Sequence, residues 1–150
     1  MSETEVAPGF GALEPAQADL RTARIVMVPV PYDRTCSYQH GTADGPAAII
    51  EASRHMELWD DELGLEATGI GIHTAPPVSG NDDPPEVMAR KVEDVVGRYL
   101  AMGKMPVVLG GEHSVSIGAI KAYEKKYPGM SVVQLAAWTS PLLKISGEMR

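Results

Sequence analysis

The sequence predicts an α/β fold built around a mainly parallel β-sheet, and three features support this prediction. Residues 24–30 and 105–109 are short, continuous apolar runs, as expected for strands that are buried on both faces. An amphipathic helical pattern over residues 85–102 separates these two runs. Strands that alternate with helices form βα units, and right-handed crossovers then place the strands parallel to one another in one sheet.

The first part of the chain, residues 1–20, contains glycine, proline, alanine and acidic residues without a clear period. We expect a mobile N-terminal arm here, with an oligomer-contacting tail as the alternative. The strand at residues 24–30 is followed by a polar loop over residues 31–45. Pro46 then begins a helix, because its fixed φ suits the first helical turn.

The later elements follow from the same local patterns. In chain order they are a short strand at 68–72, a helix at 85–102, a strand at 105–109, a helix at 115–127 and a strand at 131–135. Residues 81–83 (Asn-Asp-Asp) offer oxygen atoms that can cap the first of these helices, and Gly103 ends it. Residues 136–150 show no firm pattern.

The composition argues against several classes of protein. The 150 residues include 13 Lys and Arg against 20 Asp and Glu, which gives a formal net charge of −7. No long basic run occurs, so a nucleic-acid partner is not expected. Cys36 is the single cysteine, which excludes an internal disulfide and a cysteine-based zinc site. No apolar run is long enough to span a membrane and no secretory signal begins the chain, so we expect a cytoplasmic protein.

His113 is the strongest candidate for chemistry. It follows the strand at 105–109 behind two glycines, which let the backbone turn sharply. In an open α/β sheet, ligands bind beyond the carboxyl ends of the strands, where an imidazole can bind a divalent metal. The alternative is a hydrogen-bonded histidine at a helix start, and position alone does not choose between the two.

Other polar residues lie in the loop that follows the first strand. Asp33, His40 and Asp44 could hold a single metal weakly together with His113, but turn formation and helix capping explain these residues more simply. Cys36 in the same loop has no identifiable base or oxyanion hole, so it is not expected to act as a nucleophile.

Two segments of the sequence resemble the ureohydrolases, the family of arginase and agmatinase. Residues 107–114 (Val-Val-Leu-Gly-Gly-Glu-His-Ser) resemble the first metal-binding motif of that family. Residues 28–33 (Val-Pro-Val-Pro-Tyr-Asp), together with Gly41 and residues 45–49 (Gly-Pro-Ala-Ala-Ile), resemble its opening strand, loop and helix. The similarity extends from about residue 24 to residue 135. The resemblance is closer to agmatinase-like members than to arginase itself, mainly because of the stretch that begins with Pro-Tyr-Asp and ends with Ser-Tyr at residues 31–38.

The resemblance implies a three-layer α/β/α fold with a two-manganese site. In the family, a hydroxide shared by the metals attacks the carbon of a guanidinium group and releases urea and an amine. The family's ligands come from the histidine that corresponds to His113, from an Asp-x-His-x-Asp motif after the next strand, and from a later Asp-x-Asp motif. The resemblance also implies a small guanidino substrate such as agmatine, a place in polyamine metabolism and assembly into homo-oligomers.

The sequence departs from the family at the second motif. Where Asp-x-His-x-Asp is expected, residues 136–140 read Ala-Ala-Trp-Thr-Ser, so Ala136, Trp138 and Ser140 replace the ligands. We therefore expect residues 21–135 to form the N-terminal part of a ureohydrolase domain, followed by a divergent or truncated tail at 136–150. The fold would be incomplete, and the chain alone would hydrolyse little substrate. The alternatives are a non-catalytic subunit that associates with full-length relatives and a binding protein for guanidinium compounds.

Overall fold

The computed structural model describes residues 9–135, which contain five β-strands and four α-helices. In chain order, the elements are α1 (Pro15–Ala18), β1 (Ile25–Val30), α2 (Gly45–Ser53), β2 (Trp59–Asp60), β3 (Leu65–Glu66), β4 (Ile72–Thr74), α3 (Pro85–Ala101), β5 (Met105–Gly110) and α4 (Val115–Lys126). Short 3₁₀ turns occupy Phe10–Ala12, Thr42–Asp44 and Ala67–Ile70. No helix in the described part of the chain is long and apolar enough to cross a bilayer.

The main sheet has three parallel strands in the order β4-β1-β5. Ile25 pairs with Ile72 on one side and with Met105 on the other, and Val30 pairs with Gly110 at the carboxyl end. The connection that contains α2 leads from β1 to β4 at one edge of the sheet, and the connection that contains α3 leads from β4 to β5 at the opposite edge. Right-handed crossovers in opposite directions place these helices on opposite faces of the sheet. The predicted α/β fold with a mainly parallel sheet is confirmed.

The main core lies between one face of β1 and the helices α3 and α4. Val26, Val28 and Val30 alternate along the strand and are fully buried in one cluster with Val92 and Val96 of α3. Each buried valine side chain contributes about 1.5 kcal/mol or more through its removal from water. This packing fixes the strand ends from which the polar loops leave.

Two of the predicted strands differ in the structure. The predicted strand at 68–72 is replaced by a 3₁₀ turn, and β4 starts only at Ile72 because Gly71 has a φ of +73°. The predicted strand at 131–135 does not form, and its residues are exposed. An apolar run shows that a segment can be buried, but a strand of this kind also needs a neighbouring strand to pair with and packing on both faces.

A short antiparallel hairpin joins β2 to β3 and was not predicted. Trp59 pairs with Glu66 and Asp60 pairs with Leu65, and both strands are exposed. The Asp60 carboxylate accepts a hydrogen bond from the backbone N–H of Leu63 at 2.9 Å, which holds the turn. The acidic residues of this segment therefore form part of a solvated turn.

The N-terminal segment contacts the rest of the fold from residue 9 onward. The backbone N–H of Phe10 donates to Thr74 Oγ1 at 2.8 Å, and that of Gly11 donates to Ser53 Oγ at 2.8 Å. The Nδ1 atom of His73 lies 2.9 Å from the backbone oxygen of Ala18. The mobility of an arm over residues 1–20 stays a prediction, and residues 1–8 lie outside the described part.

Candidate functional site

The loops after β1 and β5 meet at the carboxyl edge of the sheet. The backbone N–H of Gly111 donates to the oxygen of Val30 at 3.1 Å, and that of Glu112 donates to the oxygen of Tyr32 at 2.9 Å. A Cβ atom on Gly111 would collide with the oxygen of Tyr32 and lie 3.0 Å from that of Thr42. The second glycine of the motif is therefore needed because two backbones approach closely there.

His113 lies at the start of α4 with an exposed side chain. The side chain lines a cleft of about 520 Å³ between the two loops. The lining residues of this cleft are Thr35–Gln39, Thr42 and Glu112–Ser114. The backbone oxygen of His113 accepts hydrogen bonds from the N–H of Ser116 at 3.1 Å and from its hydroxyl at 2.7 Å. The helix start thus fixes the backbone of His113, and the residue remains exposed beside the cleft.

Glu112, the neighbour of His113, is a buried carboxylate engaged by protein donors. It accepts hydrogen bonds from the backbone N–H of Thr35 at 2.7 Å, from the Thr35 hydroxyl and from the Ser114 hydroxyl. Burial by itself would raise the pKa of Glu112, but the hydrogen bonds from Ser114 and Thr35 outweigh it and lower that pKa. Glu112 therefore remains ionised and ties the loop after β1 to the loop after β5.

Asp33 is a second buried carboxylate, with 5% of its surface exposed. It accepts hydrogen bonds from the backbone N–H of Gly41 at 2.7 Å and from the side-chain amide of Asn81 at 3.1 Å. Its own N–H donates to Asn81 Oδ1 at 2.8 Å. The hydrogen bond from Gly41, followed by that from Asn81, lowers the pKa of Asp33 against the opposing effect of burial. Asp33 thus organises its own loop.

The weak single-metal site considered for the first loop gains no support from the structure. The Nδ1 atom of His40 lies 3.6 Å from Asp33 Oδ1, but both Asp33 oxygens already accept hydrogen bonds. Asp44 is exposed. Within residues 9–135, no three histidine, cysteine or acidic side chains are grouped to hold a metal ion. Cys36 is a free thiol whose Sγ lies 3.2 Å from Thr42 Oγ1.

The described residues do not fit a two-manganese centre, because His113 is the single ligand of the implied set that they contain. Ala136, Trp138 and Ser140, which stand where further ligands were expected, lie outside the described residues. The roles of Glu112 and Asn81 were not predicted from the sequence. Glu112 could have been suspected because it lies within the recognised motif, but nothing in the sequence pattern links Asn81 to Asp33.

Comparison with known proteins identifies relatives of the chain. A sequence model of the Arginase family matches residues 23–139. An N(1)-aminopropylagmatine ureohydrolase from Thermus thermophilus is 37% identical over 115 residues, which are 77% of this chain and 39% of the relative. An agmatinase from Bacillus subtilis is 31% identical over 126 residues, or 84% of this chain and 43% of the relative.

Solved structures agree with these matches. The agmatine ureohydrolase of Thermoplasma volcanium superposes with a TM-score of 0.68 at 28% identity, over 79% of this chain and 39% of that protein. A formiminoglutamase from Trypanosoma cruzi, crystallised with Mn²⁺, gives a TM-score of 0.66 at 27% identity, over 74% and 38% of the two chains. The chain thus spans about two fifths of the length of these relatives. By sequence and by fold, the chain belongs to the arginase family, and its relatives include agmatinases and aminopropylagmatine ureohydrolases.

Proposed function

We propose that the chain is the N-terminal part of an agmatinase-like ureohydrolase domain, which in complete form hydrolyses a guanidino compound such as agmatine to urea and an amine. The observation that carries this proposal is the position of His113. His113 is exposed and lines a cleft at the carboxyl edge of two parallel strands, within the residues that match the family model. Manganese is the proposed metal, because a relative of similar fold was crystallised with Mn²⁺. A cytoplasmic location and a role in polyamine metabolism belong to the same proposal.

We further propose that the 150-residue chain alone has negligible hydrolytic activity. A two-metal centre needs several ligands in one geometry, and one imidazole does not supply them. At the positions aligned with the second ligand motif, alanine and tryptophan cannot coordinate manganese and a neutral serine hydroxyl is a poor ligand. The purified chain, supplied with Mn²⁺ and agmatine, should release no more urea than its His113→Ala variant. Urea release at an enzyme-like rate that His113→Ala abolishes would contradict the proposal.

A gain-of-binding variant tests whether the second motif is correctly aligned. The triple variant Ala136→Asp, Trp138→His and Ser140→Asp restores the family pattern. We expect it to gain Mn²⁺-dependent thermal stabilisation that the same variant carrying His113→Ala lacks. Binding at a hundred times Kd stabilises a folded protein by about 2.7 kcal/mol, which a thermal melt resolves. Equal melting temperatures with and without Mn²⁺ would contradict this alignment of the second motif.

A second candidate function is association with another ureohydrolase chain. Within residues 9–135, the outer edge of β5 has no ladder partner. Met105 on this strand and Ile117 and Ile120 on the adjacent α4 are exposed. An open edge next to apolar side chains favours pairing with another chain. Light scattering should detect an oligomer of the purified chain, or a complex with a full-length agmatinase. A monomer that binds no such partner at micromolar concentration would exclude this function.

A further inference from the structure

We propose that residues 34–42 form a flap over the His113 cleft, held closed by one latch between Asp33 and Asn81 and a second latch between Glu112 and Thr35. This inference goes beyond the proposed function, because it concerns access to the cleft and does not require that the chain hydrolyses anything.

The flap is fixed by polar contacts near its two ends. At the N-terminal end of the flap, Arg34 donates to the backbone oxygen of Asp82, and Thr35 donates to Glu112 through its N–H and its hydroxyl. At the C-terminal end of the flap, the N–H of Gly41 donates to Asp33. Residues 37–40 between these ends are exposed, and Tyr38 has 90% of its surface exposed. A segment with little apolar burial opens at a low free-energy cost, so the latches decide its position.

Asn81 controls the first latch from a different loop, 48 residues away in the sequence. Its amide oxygen accepts from the N–H of Asp33 at 2.8 Å, and its amide nitrogen donates to Asp33 Oδ1 at 3.1 Å. These two bonds orient Asp33, so that Oδ2 accepts from Gly41. Asn81 is itself exposed, so its replacement removes the latch without opening the core. Asn81 is therefore a positioning residue that acts on the flap through Asp33.

Cys36 provides an internal reporter of flap opening. It is the single cysteine of the chain, it is partly exposed, and its Sγ lies 3.2 Å from Thr42 Oγ1. The two residues come from opposite ends of the flap, so opening separates them and increases the exposure of the thiol. Monobromobimane should therefore alkylate Cys36 faster as the open population grows.

The experiment compares alkylation rates in the 150-residue chain and three variants. Asn81→Ala and Thr35→Val each weaken one latch, and Asp82→Ala is the matched control, because Asp82 accepts from Arg34 through its backbone oxygen, which alanine keeps. We expect Asn81→Ala to raise the rate severalfold and by at most about thirtyfold, since each lost hydrogen bond shifts the opening equilibrium by a factor of about five. Thr35→Val should raise the rate severalfold, and Asp82→Ala should stay within about twofold.

Global unfolding would also expose Cys36, so the urea midpoint is measured for each variant. The flap is supported if the alkylation rates of Asn81→Ala and Thr35→Val rise by a larger factor than their equilibrium constants for global unfolding. It is contradicted if Asn81→Ala reacts no faster than Asp82→Ala. It is equally contradicted if the alkylation rate and the equilibrium constant for global unfolding rise by the same factor. The latch would then contribute only to the overall stability of the fold.

Discussion

Replacement of Gly118 by alanine tests whether the cost of overpacking between two helices exceeds the gain in helix propensity. Gly118 is buried in α4 where that helix crosses α3. A Cβ atom there would collide with the backbone oxygen of Ala89 and lie 2.8 Å from the Cβ of Val92. Neither atom is the end of a flexible side chain, so the helices must move apart. Gly97 in α3 is the matched control, because a Cβ atom there meets nothing within 4 Å.

The two substitutions should change the free energy of unfolding in opposite directions. Alanine favours a helix over glycine by about 1 kcal/mol at either position. Overpacking at Gly118 costs about 1–3 kcal/mol, and contact with backbone places this site in the upper part of that range. The net expectation is a loss of about 1–2 kcal/mol for Gly118→Ala and a gain of about 1 kcal/mol for Gly97→Ala.

Urea unfolding followed by far-UV circular dichroism measures both variants under the same conditions. Because the replacement is the same, the change in the entropy of the unfolded chain is shared and cancels in the comparison. The reasoning is refuted if Gly118→Ala is as stable as Gly97→Ala. That result would mean that α3 and α4 separate without cost, and that the small residue is not what sets their distance.

Three further changes have expected results. Tyr32→Phe removes the hydroxyl that donates to the backbone oxygen of Asp83 at 2.9 Å, and should lower the free energy of unfolding by about 1 kcal/mol in urea titrations. The lowered pKa of Asp33 contributes stability above about pH 4 that is lost on further acidification, so thermal melts of Asp33→Asn should depend less on pH below that point; an unchanged pH dependence would contradict this. Lys125→Ala breaks an ion pair with Glu93, but Lys125 is 76% exposed and water screens its charge, so the urea midpoint of unfolding should change little.

Local patterns in the sequence determined most of the framework. The apolar runs that predict β1 and β5 and the periodic pattern that predicts α3 agree with the structure to within about a residue at each end. Each of these signals lies within a few consecutive residues, because side-chain direction repeats every two residues in a strand and every 3.6 in a helix. The Gly-Gly-Glu-His-Ser motif identified the family in the same way, as a contiguous string.

Only the tertiary structure decided which polar groups meet. Residues 81–83 were predicted to cap α3, yet Asn81 instead binds Asp33, and the cap position holds Pro84 without a side-chain hydrogen bond. The strand expected at 131–135 likewise depends on a neighbour that its own residues do not specify. Contacts between residues far apart in the chain leave no period in the sequence. They arise when the crossovers bring the loops after β1, β4 and β5 to one edge of the sheet, and this proximity determines the surroundings of His113.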